Sequence, residues 1–314
     1  MTLQSAVVVM RPDSGRILAM VNSDPNHESN GIDLCLRADI PAASLFKIVA
    51  AAAAIEARDF TPDKILTYRG RKYTLYKSQL RQDRGKAVNR ISFKRAFSGS
   101  INPVFGKIGI YDLGKDLISQ YADRFYFNRE IPFDLPLAIS SIEVPEDDFG
   151  LAEIASGFNK RTRLSPLHAA MITSAVANNG IMMKPWVVRN IRDESDRILY
   201  HAGPSELANP IKSETAAELK ILMRDTVTNG TCSKTFRSLQ RRKLFRDIAL
   251  GAKTGTINDP TDTYKYDWLT AFALPQKDNN HVPICIAVLA IHGERLGIRA
   301  KDIAMEILTY HFAS

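Results

Sequence analysis

Pro41-Ala42-Ala43-Ser44-Leu45-Phe46-Lys47-Ile48-Val49, running on through five alanines to Ile55-Glu56-Ala57-Arg58, is the stretch from which the rest of the chain can be read. The alanine run, with no internal Gly or Pro, predicts a helix over 44–58 that Thr61-Pro62-Asp63 brings to an end. Positions i and i+3 share a helix face, which brings the Lys47 amine within reach of the Ser44 hydroxyl. A serine hydroxyl is a poor nucleophile until a base takes its proton. A lysine can be that base where burial or a neighbouring cation lowers its pKa. Ser44 also falls near the helix N-terminus, where the macrodipole favours developing negative charge. The plainer reading makes Ser44 a helix cap and Lys47 a surface charge, and Ser-x-x-Lys alone does not decide against it.

Two more short motifs follow. Ser100-Ile101-Asn102 offers a hydroxyl to relay a proton and an amide with both donor and acceptor for a substrate amide. Asn102 also reads as the N-cap of a helix that opens with Pro103. Lys253-Thr254-Gly255-Thr256 reads as part of a strand, with an amine and two hydroxyls to bind a carboxylate. Strand alternation puts Thr254 and Thr256 on one side, and Gly255 lets a ligand approach the backbone. The backbone N–H groups of Ser44 and Thr256 are candidates for an oxyanion hole.

Outward from these motifs, strands are expected over 5–10 and 16–21, joined by the turn Pro12-Asp13-Ser14-Gly15, and then a polar loop over 24–31. Ser92 reads as the cap of a short helix over 93–97, and Ser165-Pro166 opens a helix that Asn179-Gly180 stops. A further helix spans 213–229. The last quarter gives strands over 249–256, 267–274 and 283–291 and a closing helix over 300–310. Strands at both ends with helices between predict an α/β chain of the α+β type, built on one antiparallel sheet assembled from both termini.

The 314 residues, 45% apolar, suffice for a large core. A net charge of +8 speaks to association rather than fold, and the basic runs over 69–95 and 234–246 come with no nucleic-acid motif, so no nucleic-acid partner is expected. Cys35, Cys232 and Cys285 form no disulfide framework, and no His/Cys cluster suggests a metal. The six histidines are scattered and read as packing or surface residues. No segment has the apolar length of a membrane span, and the first strand starts almost at once, so any anchor is expected outside these residues.

Taken in order, Ser44-x-x-Lys47, Ser100-x-Asn102 and Lys253-Thr254-Gly255 resemble the active-site set of the serine β-lactamase and penicillin-binding protein superfamily, and of penicillin-binding transpeptidase domains in particular. The surroundings are similar too: 6–20, Pro41 to Lys47, Leu164-Ser165-Pro166-Leu167 on to Gly180, Asn229-Gly230-Thr231, and Asp267-Trp268-Leu269. The resemblance spans nearly the whole chain. It implies a five-stranded antiparallel sheet flanked by helices, with an all-helical subdomain and the site at their junction. The expected division is a single domain over 1–314, with a sheet lobe at about 1–58 and 213–314 and a helical subdomain at about 59–212.

It further implies a D,D-transpeptidase that cross-links peptidoglycan stem peptides and is acylated by penicillin. Ser44 would be the nucleophile, Lys47 the base and Ser100 the proton relay. Asn102 would orient the substrate, Lys253 would tune the electrostatics near Ser100, and Thr254, Gly255 and Thr256 would hold the terminal carboxylate. No metal or cofactor is implied. The expected partners are stem peptides, β-lactams and a glycosyltransferase or membrane neighbour. The expected place is the periplasm or the outer face of the cytoplasmic membrane, with a native anchor and any glycosyltransferase module or pedestal lying outside this chain. Pro41-Ala42-Ala43 departs from the Pro-Gly-Ser common before this nucleophile, without removing a catalytic group.

Three rivals stand beside this reading. A β-lactamase needs a water-activating group: Glu143 and Glu146 lie in the stretch where one subgroup keeps a glutamate, yet Asp147 stands where an asparagine is expected four residues after Glu143. A D,D-carboxypeptidase would share every motif. A non-catalytic penicillin sensor or scaffold would bind without turnover.

Overall fold

A computed structural model describes residues 2–23, 33–82, 88–276 and 281–313. The polar loop expected over 24–31 lies outside them. Five strands form the central sheet: β1 (Thr2–Met10), β2 (Ile17–Ser23), β3 (Ile248–Asn258), β4 (Lys265–Pro275) and β5 (Ile284–His292). Their spatial order is β2-β1-β5-β4-β3, with every neighbouring pair antiparallel. The two N-terminal strands thus join the three C-terminal ones through β1 and β5, as expected from strands at both ends.

Alternation along β5 explains why its sequence is apolar throughout. Cys285, Ala287, Leu289 and Ile291 face one core, with Trp268 and Phe272 of β4. Ile284, Ile286, Val288 and Ala290 face a second, with Leu269, Ala271 and Ala273. A sheet covered on both faces has no solvent side on which to place polar residues. The first core is closed by α1 (Lys47–Arg58), α6 (Pro166–Ala177) and α7 (Ser213–Thr228); the second by α8 (Ser233–Arg241) and α9 (Ala300–Ala313). Every residue of α6 is buried, which is why its sequence shows no polar face. Burying a Leu-, Ile- or Phe-sized side chain contributes about 1.5–3 kcal/mol, so these two cores dominate the stability.

Between α1 and α6 run α2 (Phe93–Ser98), α3 (Asn102–Lys107), α4 (Gly114–Arg124) and α5 (Asp148–Ser156). The chain's middle is not purely helical. Three two-stranded ribbons also lie within 59–212: Ile65–Tyr68 with Asn89–Ser92, Met182–Met183 with Glu206–Ala208, and Asn190–Arg192 with Ile198–His201. Their short apolar stretches are bounded by polar turns and carry too few residues to announce themselves by period.

The caps fall largely where the residue types put them. Ser92 accepts from Arg95 N and Ser165 from His168 N. Asn102 does not: the N-cap of α3 is Ile101, and the Asn102 amide points inward to other partners. Nor is Ser44 a helix cap. It sits in a 3₁₀ turn, Ala43–Phe46, that leads into α1 without a side-chain cap. Of the histidines, His168 is fully buried, its Nε2 2.7 Å from Phe125 O, and burial pushes its pKa down to about 4. All three cysteines are buried and free.

Candidate active site

Four segments from distant parts of the chain converge on one cleft: the 3₁₀ turn holding Ser44, the turn holding Ser100 and Asn102, edge strand β3, and the C-terminus of α5. The cleft has a volume of about 690 Å³. Ser44, Ser100, Asn102, Thr254 and Thr256 line it directly, while Lys47 and Lys253 lie fully buried beneath.

Lys47 is the centre of the arrangement. Its Nζ stands 2.8 Å from Ser44 Oγ and 2.8 Å from Asn102 Oδ1, and it donates to the carbonyl of Ser156. That carbonyl belongs to the last residue of α5, where no intrahelical donor remains, so the lysine satisfies an orphan acceptor. Burial, and then the charge of Lys253, pushes the Lys47 pKa well below its ordinary value. A neutral amine has two hydrogens and one lone pair. The Asn102 and Ser156 neighbours are pure acceptors and take both hydrogens. The lone pair is left facing the Ser44 hydroxyl, the one of these three neighbours able to donate. The plainer reading of Lys47 as a surface charge is therefore excluded: the amine is buried, 2.8 Å from the Ser44 hydroxyl.

Lys253 repeats the pattern around the second serine. Its Nζ is 3.0 Å from Ser100 Oγ and 2.7 Å from Thr254 O, and burial lowers its pKa to about 7. Ser100 itself is held at φ +53°, in the left-handed region, a sparse conformation for a residue with a side chain. Ala43, one residue before Ser44, has φ +49°. Thr254 and Thr256 share the cleft side of β3 as alternation requires. Thr254 Oγ1 lies 2.6 Å from Thr231 Oγ1, and Thr256 donates to Asp267 Oδ1 at 3.1 Å. Gly255 passes close behind Ser44: a Cβ there would lie 3.1 Å from Ala43 Cβ and 3.4 Å from Ser44 N.

Several participants were not singled out by the motifs. Asp267, opposite Thr256 on β4, is buried and receives two bonds of 2.7 Å from Arg299 and one of 2.9 Å from Ala300 N. A lone acid inside an apolar strand was the available signal. Trp268 Nε1 donates to Pro41 O at 2.9 Å, fixing the segment before Ser44 against β4. The Ser156 carbonyl and the Tyr73 carbonyl, which accepts from Asn102 Nδ2 at 3.0 Å, are backbone groups that leave no mark in residue identity. Glu143 lines a separate cleft beside Pro145 and Asn159, Glu146 pairs with Lys115, and Asp147 caps α5. None of these three lines the Ser44 cleft. Among the described residues no cluster of His, Cys, Asp and Glu is arranged to hold a metal.

Comparison with known proteins gives consistent results. The family model of the penicillin binding protein transpeptidase domain matches residues 5–308. The peptidoglycan D,D-transpeptidase PbpA of Mycolicibacterium smegmatis is 26% identical over 339 residues, covering 97% of this chain and 65% of that protein. The chain thus spans about 65% of the length of such curated relatives. Among solved structures, the D,D-transpeptidase domain of a peptidoglycan glycosyltransferase from Eggerthella lenta superposes with a TM-score of 0.78 at 22% identity, covering 98% of this chain and 77% of that one. A ceftriaxone acyl-enzyme of penicillin-binding protein A from Mycobacterium tuberculosis gives 0.76 at 24%, covering 98% and 73%. At these identities the superpositions speak to the fold.

Proposed function

The chain belongs to the penicillin-binding protein transpeptidase family, and on that premise we propose that it is a serine D,D-transpeptidase that cross-links peptidoglycan stem peptides and is acylated by β-lactams. The observation that carries this reading is the buried Lys47 amine, 2.8 Å from Ser44 Oγ, with its two other neighbours both acceptors. PbpA relatives carry that activity in their names.

In the proposed reaction Ser44 attacks the carbonyl of the penultimate D-alanine while Lys47 takes the hydroxyl proton. An ester bond to Ser44 forms. The peptide bond to the terminal D-alanine breaks, and Ser100, backed by Lys253, passes a proton to the leaving amine. The N–H groups of Ser44 and Thr256 face the developing oxyanion, where preorganised donors act most strongly in a water-poor site. Thr254 and Thr256 hold the terminal carboxylate, with Gly255 allowing its close approach, and Asn102 orients the substrate amide. An amine from a second stem peptide then attacks the ester, forms the cross-link and returns the proton to Ser44. No cofactor enters these steps. The sheet lobe, about 1–58 and 213–314, supplies Ser44, Lys47 and β3; the subdomain at about 59–212 supplies Ser100 and Asn102.

Such a reaction belongs outside the cytoplasmic membrane. We therefore place the protein in the periplasm or on the membrane's outer face, natively anchored beside a glycosyltransferase. No described helix is long and apolar enough to cross a membrane. The position of Glu143, Glu146 and Asp147 away from the cleft argues against a β-lactamase.

The test is labelling with a fluorescent penicillin, on the wild type and on Ser44→Ala, followed by intact mass over time. A long-lived adduct absent from Ser44→Ala is expected. Rapid clearance with opened penicillin would mean a β-lactamase, and no adduct on folded protein would mean a non-catalytic scaffold. A stem-peptide substrate with an added amine then separates cross-linking from carboxypeptidase release.

A further inference from the structure

The loop over 69–76, just before the second motif, is organised by one buried side chain. Gln79, 5% exposed, uses its amide in full. Its Nε2 donates to Arg69 O at 3.0 Å and Arg71 O at 3.1 Å, while its Oε1 accepts from Tyr76 N at 3.0 Å and Thr74 Oγ1 at 3.1 Å. Gly70 turns the chain around this amide at φ +73°, and a Cβ there would stand 2.7 Å from Gln79 Nε2. The loop is thus folded onto the glutamine, and residue 70 must be small for the amide to fit.

The same loop ends at the catalytic cluster. Lys72 O accepts from Asn102 N at 2.8 Å, and Tyr73 O accepts from Asn102 Nδ2 at 3.0 Å. An amide side chain has one donor end and one acceptor end. With Nδ2 committed to Tyr73 O, Oδ1 is turned toward Lys47 Nζ at 2.8 Å. Rotated the other way, Asn102 would present hydrogens to the amine and leave the Tyr73 carbonyl without a partner. The Tyr73 carbonyl therefore selects the orientation of Asn102, and the loop's shape sets the position of that carbonyl.

We propose that Gln79 is a positioning residue for acylation: by ordering residues 69–76 it holds the Tyr73 carbonyl where Asn102 must be turned to receive a hydrogen of Lys47. The inference rests on the proposed role of Lys47 as base for Ser44. Gln79 touches neither substrate nor nucleophile, and its effect passes through Asn102. A separate tether keeps the loop region folded without it: Leu75 and Leu80 pack on Ala152 of α5, and Tyr111 Oη donates to Leu80 O at 2.8 Å.

The experiment measures penicillin acylation at saturating ligand, which separates the non-covalent binding constant from the limiting rate, in wild type, Gln79→Leu, Asn102→Ala and the double variant. One hydrogen bond to a base lost from the transition state corresponds to about a tenfold slower step, so Gln79→Leu is expected to lower the limiting rate by roughly that factor. Because Gln79 acts through Asn102, the double variant should be no slower than Asn102→Ala alone, whereas independent effects would multiply. Gly70→Ala disturbs the same anchor from the backbone side and repeats the test if Gln79→Leu fails to fold. A folded Gln79→Leu or Gly70→Ala protein with the wild-type limiting rate, or one whose loss multiplies with that of Asn102→Ala, overturns the inference alone. A wild type that takes no penicillin overturns the proposed function and this inference with it.

Discussion

Gly157 closes α5 at φ +66°, and a Cβ there would lie 2.0 Å from Ala43 O and 2.9 Å from Ser44 N. Replacing it by alanine has two costs. Holding an L-residue in the left-handed region costs about 1–2 kcal/mol. The contact with Ala43 O must also open by more than about 1 Å to reach an ordinary carbon–oxygen separation of about 3.3 Å. Either α5 moves, taking the Ser156 carbonyl from Lys47, or the turn moves, taking Ser44. A displacement near 1 Å in a catalytic constellation costs roughly 100-fold in rate. Gly157→Ala is therefore expected to lower stability by roughly 2–5 kcal/mol, combining the strain with overpacking. It should also slow penicillin acylation about 100-fold. Urea denaturation and time-resolved labelling with fluorescent penicillin measure both. Acylation at the wild-type rate in Gly157→Ala would refute the claim that α5 and the nucleophile turn are locked together through this glycine.

Three further outcomes are expected. Lys253 has a native pKa of about 7, below its unfolded value, so between the two the unfolded chain holds the extra proton and stability rises with pH. The stability gained by Lys253→Met over wild type should accordingly be largest below about pH 7 and shrink as pH rises through the alkaline range; a gain independent of pH would contradict it. Asn102→Ala removes an acceptor from Lys47 and a donor from the Tyr73 carbonyl. It should cost about 1–3 kcal/mol in thermal or urea unfolding, and normal stability together with normal acylation would count against the cluster. Arg299→Ala leaves the buried Asp267 carboxylate with Thr256, Ala300 N and His292, whose Nε2 is 3.9 Å away, and should cost about 3 kcal/mol. It should also weaken binding of carboxylate-bearing β-lactams more than it slows their limiting acylation step, and saturation kinetics separate the two.

The sequence carried the sheet well because its strands are marked at both ends. The continuous apolar run before His292 was legible as a strand, its coverage on two faces being visible only in the fold, and the Ser165-Pro166 cap announced α6. The site residues were legible as types at spacings, yet what gives Lys47 its chemistry was not. The Ser156 carbonyl that takes one of its hydrogens and the Tyr73 carbonyl that orients Asn102 are main-chain atoms, identical at every position. Asn102 shows the limit of local rules, since its residue type fits an N-cap while its buried neighbours draw the amide elsewhere. The two-stranded ribbons went unseen because elements of two to four residues have no measurable period.

The route of the chain through the sheet has a consequence for its biosynthesis. Trp268 donates to Pro41, 227 residues earlier, and β1, besides its hairpin partner β2, pairs with β5. Pairings of such long separation form late and slowly, because the loop between them must be closed first. During synthesis or export the segment carrying Ser44 emerges well before β3, the strand that lines its cleft, and before the β5 that ties β1 into the sheet. Until β5 is available, β1 and β2 are a lone hairpin with an open edge, which is at best marginally stable in water. A nascent or truncated chain ending before residue 284 would thus hold Ser44 without the sheet that frames its cleft. On the proposed function, competence to react with penicillin becomes a readout of β1 having met β5.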